Sequence, residues 1–327
     1  MLKNKIIGLG CALASIFFVT SPSLEAFHPV SDVSLTGGWR RDEVKTTFDN
    51  FGFGNNELKL KDVNTWEFGL RGQYAFTGFC GCEESWLDDF YVKGSAVWGW
   101  GNNGKFTNGN DSSGYGYDYG YGNGFGHIDA KNTRTYDYDI GFGWLYAIDC
   151  NWGIGPTVGY AWNRLTTHQK FNSSGYSSDL YGYGYDSYSG DKLEYSTKWY
   201  GPWLGLEVDY EDCEWHFDLG YEFHWARNHT KLGDFSGKSN DSRYGNVVYL
   251  DAYYDLCDGW EVGVGFKWKS FQSGRHGDNG SGSSSYFASG SDYGYDYEFV
   301  DSGSSSGRGG KTRWTSWGFT VDLGYRF

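Results

Sequence analysis

The sequence predicts an all-β chain: a transmembrane, up-and-down antiparallel β-barrel of about ten strands, or twelve if a long loop hides a hairpin. Three observations predict it. The C-terminus alternates without a fault, with Trp317, Phe319, Val321, Leu323, Tyr325 and Phe327 on one face and Gly318, Thr320, Asp322, Gly324 and Arg326 on the other. The 327 residues include 16 Trp, 28 Tyr and 23 Phe, yet mean hydropathy is low, with 51 Gly and only 4 Pro. The same alternation recurs in nine earlier segments. A soluble sandwich accounts for the last strand alone. A wall between lipid and a wet interior accounts for all three.

The N-terminus reads as a secretory signal over residues 1–26. Lys3 and Lys5 form the positive region, Ile6 to Val19 the apolar stretch, and Ala26 the last residue before cleavage. Cys11 lies within the apolar run, without a Leu three residues before it, so lipidation is not expected there. Residues 27–327 are then the barrel. They contain no apolar run long enough for a membrane helix.

The ten segments begin at Val33–Trp39, followed by 66–76, 90–100, 136–146, 152–162, 200–210, 215–226, 248–254, 260–268 and 317–327. Each apolar face has about the 9–11 residues that cross a tilted barrel wall. Many carry aromatics at both ends, as two water–lipid interfaces require. Short connections (77–89, 147–151, 211–214, 255–259) alternate with long ones (42–62, 101–133, 165–196, 227–243, 270–313). An even strand count puts both termini and every short turn on the periplasmic side. Pro156 and Pro202 each lack a ladder donor, so a kink or bulge is expected at both. The loops at 101–133, 165–196 and 270–313 are rich in Gly, Tyr and Ser, and Tyr-Gly-Tyr-Asp recurs at 115–118, 183–186 and 293–296.

The net charge of −14 and the lack of a basic stripe exclude nucleic acid as an expected partner. The expected location is the cell outer membrane, with lipid as the first partner. The predicted inward face is charged: Glu67, Asp137, Asp139, Glu207, Asp209, Asp218, Glu222, Asp251, Glu261 and Asp322 against Arg71, Lys93, Lys267, Lys269 and Arg326. Arg71, Lys93, Glu207, Asp209, Glu222 and Lys267 are the candidate lumen-lining residues. So many charges must be hydrated or paired. The first case is a narrow water-filled path preferring cations; the second is a salt-bridge network that fills the barrel. Inward glycines, including Gly141, Gly143, Gly153, Gly155, Gly263 and Gly265, leave room for water and favour the path. His216 and His224 share one face but lie roughly 26 Å apart along the strand. They cannot share a metal, and interior hydrogen bonding is expected of them. His127, His168, His229 and His276 lie near the outer rim, but no spacing marks a catalytic dyad. No enzyme activity, cofactor or metal is expected.

All five cysteines after the signal, Cys80, Cys82, Cys150, Cys213 and Cys257, fall in predicted periplasmic turns. Three turns repeat one plan: Asp149-Cys150-Asn151-Trp152, Asp212-Cys213-Glu214-Trp215 and Leu256-Cys257-Asp258-Gly259-Trp260. An exported chain meets an oxidising compartment, so these are disulfide candidates. Five is odd, and bridged Cα atoms must lie within about 7 Å. Cross-links to neighbouring envelope proteins, one or two internal bridges with a free thiol, and a Cys-only metal site all remain open.

Phe319, Val321, Leu323, Tyr325 and Phe327 resemble the C-terminal signal read by the bacterial barrel-assembly machinery, which the resemblance implies as a partner. With its Cys-Trp turns and Gly/Tyr-rich loops, the mature chain resembles the Protochlamydia outer membrane protein family of chlamydia-like bacteria. The resemblance implies a porin-like channel for small hydrophilic solutes and a structural part in a disulfide-linked Gram-negative envelope. Ten strands, not sixteen or so, depart from the large porin pattern. A surface adhesin using the Tyr/Gly-rich loops is the alternative, since Tyr and Trp give rigid contact area at low entropic cost.

Overall fold

A computed structural model describes residues 29–49, 55–76, 89–108, 128–170, 192–232, 235–239, 243–273 and 311–327. The signal segment, Cys11, Cys80, Cys82, His127, His276 and the Tyr-Gly-Tyr-Asp repeats lie outside the described residues. The described strands are β1 (Asp32–Asp49), β2 (Asn55–Ala75), β3 (Phe90–Asn108), β4 (Ile128–Trp144), β5 (Tyr146–Ala147), β6 (Trp152–Lys170), β7 (Lys192–Glu211), β8 (Trp215–His224), β9 (Arg227–Leu232), β10 (Phe235–Ser239), β11 (Arg243–Asp255), β12 (Trp260–Ser273) and β13 (Lys311–Arg326).

Ten of these make a closed antiparallel ring in chain order: β1, β2, β3, β4, β6, β7, β8, β11, β12 and β13. β13 returns to β1 over a long register, from Asp32 opposite Arg326 to Thr47 opposite Lys311. The terminal Phe327 donates its N–H to the carbonyl of Ser31 at 3.0 Å, so the last residue is tied into the seam. Closure leaves no sheet edge within the lipid, where an unpaired backbone group costs several kcal/mol.

Both prolines sit where a ladder breaks. β4 stops at Trp144 and β5 resumes beyond Leu145, facing the stretch of β6 that holds Pro156. β8 and β9 are one path interrupted at Trp225 and Ala226, where the Trp225 N–H reaches the Pro202 carbonyl at 2.9 Å. The hairpin β9–β10 extends from the upper half of β7 and stands outside the ring. It is the hairpin hidden in a long loop, and it leaves the barrel at ten strands.

The strands outrun the expected boundaries. The 42–62 connection is largely β1 and β2, β3 runs on to Asn108, and β4 starts at Ile128. Likewise β6 runs to Lys170, β7 starts at Lys192, β12 runs to Ser273 and β13 starts at Lys311. Register shifts fall between Asp42 and Val44, Lys61 and Trp66, and Lys131 and Arg134. Asp62 and Asn132 have φ of 56° and 51° there. Bulges at a barrel rim increase the local twist, and these three mark one height just past the outer aromatic ring.

Candidate functional site: the barrel interior

Exposure divides the wall. Val33, Leu35, Phe68, Leu70, Ile140, Phe142, Val158, Leu204, Leu206, Leu219, Leu250, Val264, Phe319, Val321 and Leu323 are all exposed on the outer surface. Below them runs an aromatic ring that includes Tyr74, Trp152, Trp215, Trp260 and Tyr325; above them Trp39, Trp66, Trp100, Trp162 and Trp317 continue around the barrel. Trp152 and Trp162 bound β6 on this face. Ten residues span about 33 Å of strand, or about 25 Å of height at the usual tilt, which matches the apolar band of an outer-membrane barrel.

The interior is layered. At and above the level of the outer aromatic ring lies an apolar tier of Val44, Leu60, Val63, Phe106, Leu165, Tyr195, Trp199, Val247, Phe271 and Trp314, packed among buried, mutually hydrogen-bonded threonines that include Thr46, Thr197, Thr230 and Thr312. Each of the ten apolar side chains is at most 2% exposed. Its rings touch: Trp199 stacks on Phe271 at 5.4 Å, Phe271 lies 6.0 Å from Trp314, and Phe106 meets Tyr195 edge-on at 6.0 Å. The Tyr195 hydroxyl shares a 2.9 Å hydrogen bond with Thr46 of β1 across the barrel.

Beneath that tier is a buried charge cluster. Arg40 contacts Asp42 at 2.9 Å, Glu67 at 2.7 Å and Asp137 at 2.6 Å. Lys269 of β12 pairs with Asp137 of β4 and donates to Asn163 Oδ1 at 3.3 Å. The Trp314 indole bridges the two tiers by donating to Asp42 Oδ1 at 2.8 Å. Arg40 and Asp42 were missing from the sequence-based lumen set. The alternation of β1 continues past Trp39, and following it three more residues would have found both.

Lower down, Lys93 of β3 pairs with Glu207 of β7 and donates to the Tyr249 hydroxyl at 2.6 Å. Glu207 also accepts from Tyr91 at 2.9 Å and Tyr249 at 3.0 Å. Trp203 donates to Asp139 at 2.9 Å. Glu222 meets His224 at 2.9 Å, and Asp218 meets His216 at 2.6 Å. Each histidine is thus held by an acid on its own strand. Arg71 of β2 pairs with Asp251 of β11 at 3.2 Å and approaches Asp322 at 3.9 Å. Asp209 is buried opposite Asp218. Lys267 lies half-buried opposite Tyr249. At the inner rim Arg326 gathers Glu211 at 3.0 Å and Asp255 at 3.1 Å. The candidate lumen residues therefore all lie inside the ring, and Arg71, Lys93, Glu207 and Glu222 are paired there.

The inward glycines do not hold the space that the sequence reading gave them. A methyl group on Gly143 would overlap the Tyr91 phenol, and on Gly220 the Tyr249 phenol. On Gly141 it would lie 2.7 Å from the Trp203 indole, and on Gly263 it would strike the Tyr253 ring. Rings from nearby strands fill these notches, leaving less room for water than the bare glycines suggest. Gly143→Ala is expected to push Tyr91 off Glu207 and to cost about 1–3 kcal/mol, the usual range for overpacking. Urea unfolding in micelles measures the loss, and Tyr91→Leu in the same chain should recover most of it.

The short turns are built as expected. Asp149 Oδ1 accepts the N–H groups of Asn151 and Trp152, both at 2.9 Å. Asp212 Oδ1 accepts those of Glu214 at 3.0 Å and Trp215 at 2.9 Å. These two N–H groups hold the Asp212 carboxyl below its ordinary range. Cys150, Cys213 and Cys257 are exposed free thiols on this rim among the described residues, and the Cys150 thiol donates to Asn151 Oδ1 at 3.1 Å. On β13, Phe319, Val321, Leu323, Tyr325 and Phe327 form the exposed outer face beside the seam. At the opposite end His168 faces Glu194 in register and His229 faces Lys198.

No curated protein matches this sequence. Among solved structures, the outer membrane protease OmpT from Escherichia coli superposes with a TM-score of 0.60 at 14% identity, covering 94% of this chain and all of that one. The Bordetella autotransporter BrkA β domain gives 0.38 at 9% identity, covering 91% and 100%. The OprG outer membrane protein of Pseudomonas aeruginosa gives 0.32 at 11%, covering 92% and 97%. At such identity the OmpT likeness shows the fold alone. The family model described as Protochlamydia outer membrane protein matches residues 34–327, nearly the whole ring of strands. The chain belongs to that family and resides in the outer membrane.

Proposed function

We propose that the protein is an architectural barrel of a chlamydia-like outer membrane, closed at its centre, which holds long hairpins above the lipid. One observation carries this reading. The apolar tier from Val44 to Trp314 interrupts the polar interior at the outer ring, so charged side chains below do not form a continuous wet path outward among the described residues. The porin-like part of the expectation needs such a path. The lower interior does admit some water, since the Arg71 and Lys93 side chains are 20% and 17% exposed. That half favours a vestibule open towards the periplasm.

A second reading, adhesion, is favoured by the stalk. β1, β2, β6 and β7 run well past the outer aromatic ring, and β9–β10 adds a further hairpin there. The same architecture leaves Cys150, Cys213 and Cys257 accessible for links to periplasmic envelope proteins. Assembly through the C-terminal signal fits the exposed outer face of β13. The protease activity of OmpT is that protein's, and the structural likeness brings none of it here.

Planar-bilayer recording of the refolded chain tests the reading. Membranes containing folded protein are expected to stay electrically silent across a range of KCl concentrations. Reproducible discrete steps would restore the diffusion channel and end the closed-barrel reading.

A further inference from the structure

The chain is strongly acidic, but its acids are concentrated inside the ring and at the turns. One sector of the outer surface is basic. Registers across β4, β6, β7 and β9 arrange it in rows. Tyr138, Trp162, Tyr200 and Arg227 form the first, at the aromatic ring; Tyr136, Arg164, Lys198 and His229 form the second. Arg134, Thr166, Ser196 and Lys231 form the third.

Side-chain alternation puts these rows outside the barrel, opposite the inward Leu165, Thr167, Thr197 and Trp199; within the third row Thr166 and Ser196 are covered, Thr166 by its bonds to Arg164 and Ser196. Lys131, Arg134, Arg227 and Lys231 are exposed, and Arg164 and Lys198 partly so. None of these six has an acid partner among the described residues. Glu194 on β7 and Asp129, two residues before Lys131 on β4, are acids on this face that neighbour them. On other sectors of the outer rim Arg41 pairs with Asp62, Lys105 lies between Asp129 and Lys61, and Lys45 lies in register between Arg313 and Lys59.

We propose that this sector binds the phosphate groups of a phosphorylated lipid in the outer leaflet. Three arguments converge. Each row rises only about 5 Å above the one below, given about 3.3 Å per residue and the strand tilt, so the bases stand at headgroup height. Neighbouring strands lie about 5 Å apart, close enough for two bases to engage one phosphate. Directly below, Ile140, Phe142, Val158, Tyr160, Leu204 and Leu206 offer a continuous apolar stripe for the acyl chains of the same molecule. A soluble anion would use the bases but not the stripe.

The test uses the full chain refolded in phosphatidylcholine nanodiscs. Retention of bisphosphorylated lipid A is compared with retention of the same lipid stripped of both phosphates. Each base near a charged lipid surface is worth a factor of about five, so removing several should cost at least about tenfold. Wild-type protein is expected to retain the phosphorylated lipid at least about tenfold better than the stripped one. The variant R134Q/R164Q/K198Q/K231Q should lose that preference. R41Q/K105Q, on another sector, should keep it. Equal retention of the two lipids by wild type overturns the proposal without reference to any variant. Full retention by the quadruple variant, with its heat-modifiable gel mobility intact, overturns it as well. Displacement of the lipid by inorganic phosphate or dextran sulfate at comparable anion concentration also overturns it, because it would make the sector a site for soluble anions.

Discussion

Truncating Trp199 and Phe271 together to Ala is expected to turn a silent barrel into a conducting one. The two rings stack at 5.4 Å in the centre of the apolar tier, flanked by Trp314 and near His224. Neither helps to build the wall: the ladders of β7 and β12 are backbone bonds that an Ala preserves. Removing the rings therefore cuts a hole in the filling and spares the ring of strands. Each truncation costs about 3–5 kcal/mol in a well-packed core. That is large, so the single variants should be refolded first, and their folded fraction checked by gel mobility. With folded double variant in a planar bilayer, discrete conductance steps are expected in KCl where wild type shows none. Below the opening lie more acids than bases, so the steps should favour K⁺ over Cl⁻. Silence from a folded double variant would mean that the charge clusters beneath seal the barrel by themselves. Steps of equal size from wild type would mean that the apolar tier never sealed it.

The position of that tier explains what the sequence disclosed and what it did not. Inside the lipid band the pattern is apolar-out, and β8 reads without ambiguity: Trp215, Phe217, Leu219 and Tyr221 face lipid, while His216, Asp218 and Glu222 face inward. Past the outer aromatic ring the solvent outside becomes water, and the pattern inverts. In β1, Val44 turns inward while Glu43 and Lys45 turn outward; in β6, Leu165 turns inward beside the outward Arg164. A reading tuned to apolar-out strands stops at the inversion and takes the remainder for loop. The bulges at Asp62 and Asn132 blur the period further. The lumen charges were legible because they alternate with lipid-facing aromatics. Their partners were not, since Lys93 with Glu207 and Arg71 with Asp251 meet across the barrel, where only the closed ring decides the spacing. The glycines misled for the same reason. Gly143 shows a missing side chain in the sequence; the Tyr91 ring that occupies its place comes from the neighbouring strand.

Replacing Arg40 by Met is expected to be among the most damaging single changes in the chain. Its guanidinium hydrogen-bonds Asp42 and Asp137 at 2.9 and 2.6 Å, forms an ion pair with Glu67 at 2.7 Å, and lies 5.7 Å from the centre of the Trp314 ring. Met fills much of the same volume but leaves three acids with Lys269 as the one remaining ion-pair partner in direct contact among the described residues. Removing one partner of a buried ionic cluster costs about 3–5 kcal/mol, most of it the penalty of the charges left behind. Urea unfolding in micelles, followed by tryptophan emission, should show a loss of that size. Adding Asp42→Asn and Glu67→Gln to the Met variant removes the stranded charges and should recover more than half of it. Arg40→Lys should fall between, since an ammonium carries the charge but not the planar fork that reaches three acids at once. A loss below about 1 kcal/mol for the Met variant, typical of solvated surface pairs, would mean that water reaches this level of the interior freely. That result would also weaken the closed-barrel reading, because Trp314 donates to Asp42 and the apolar tier rests directly on this cluster.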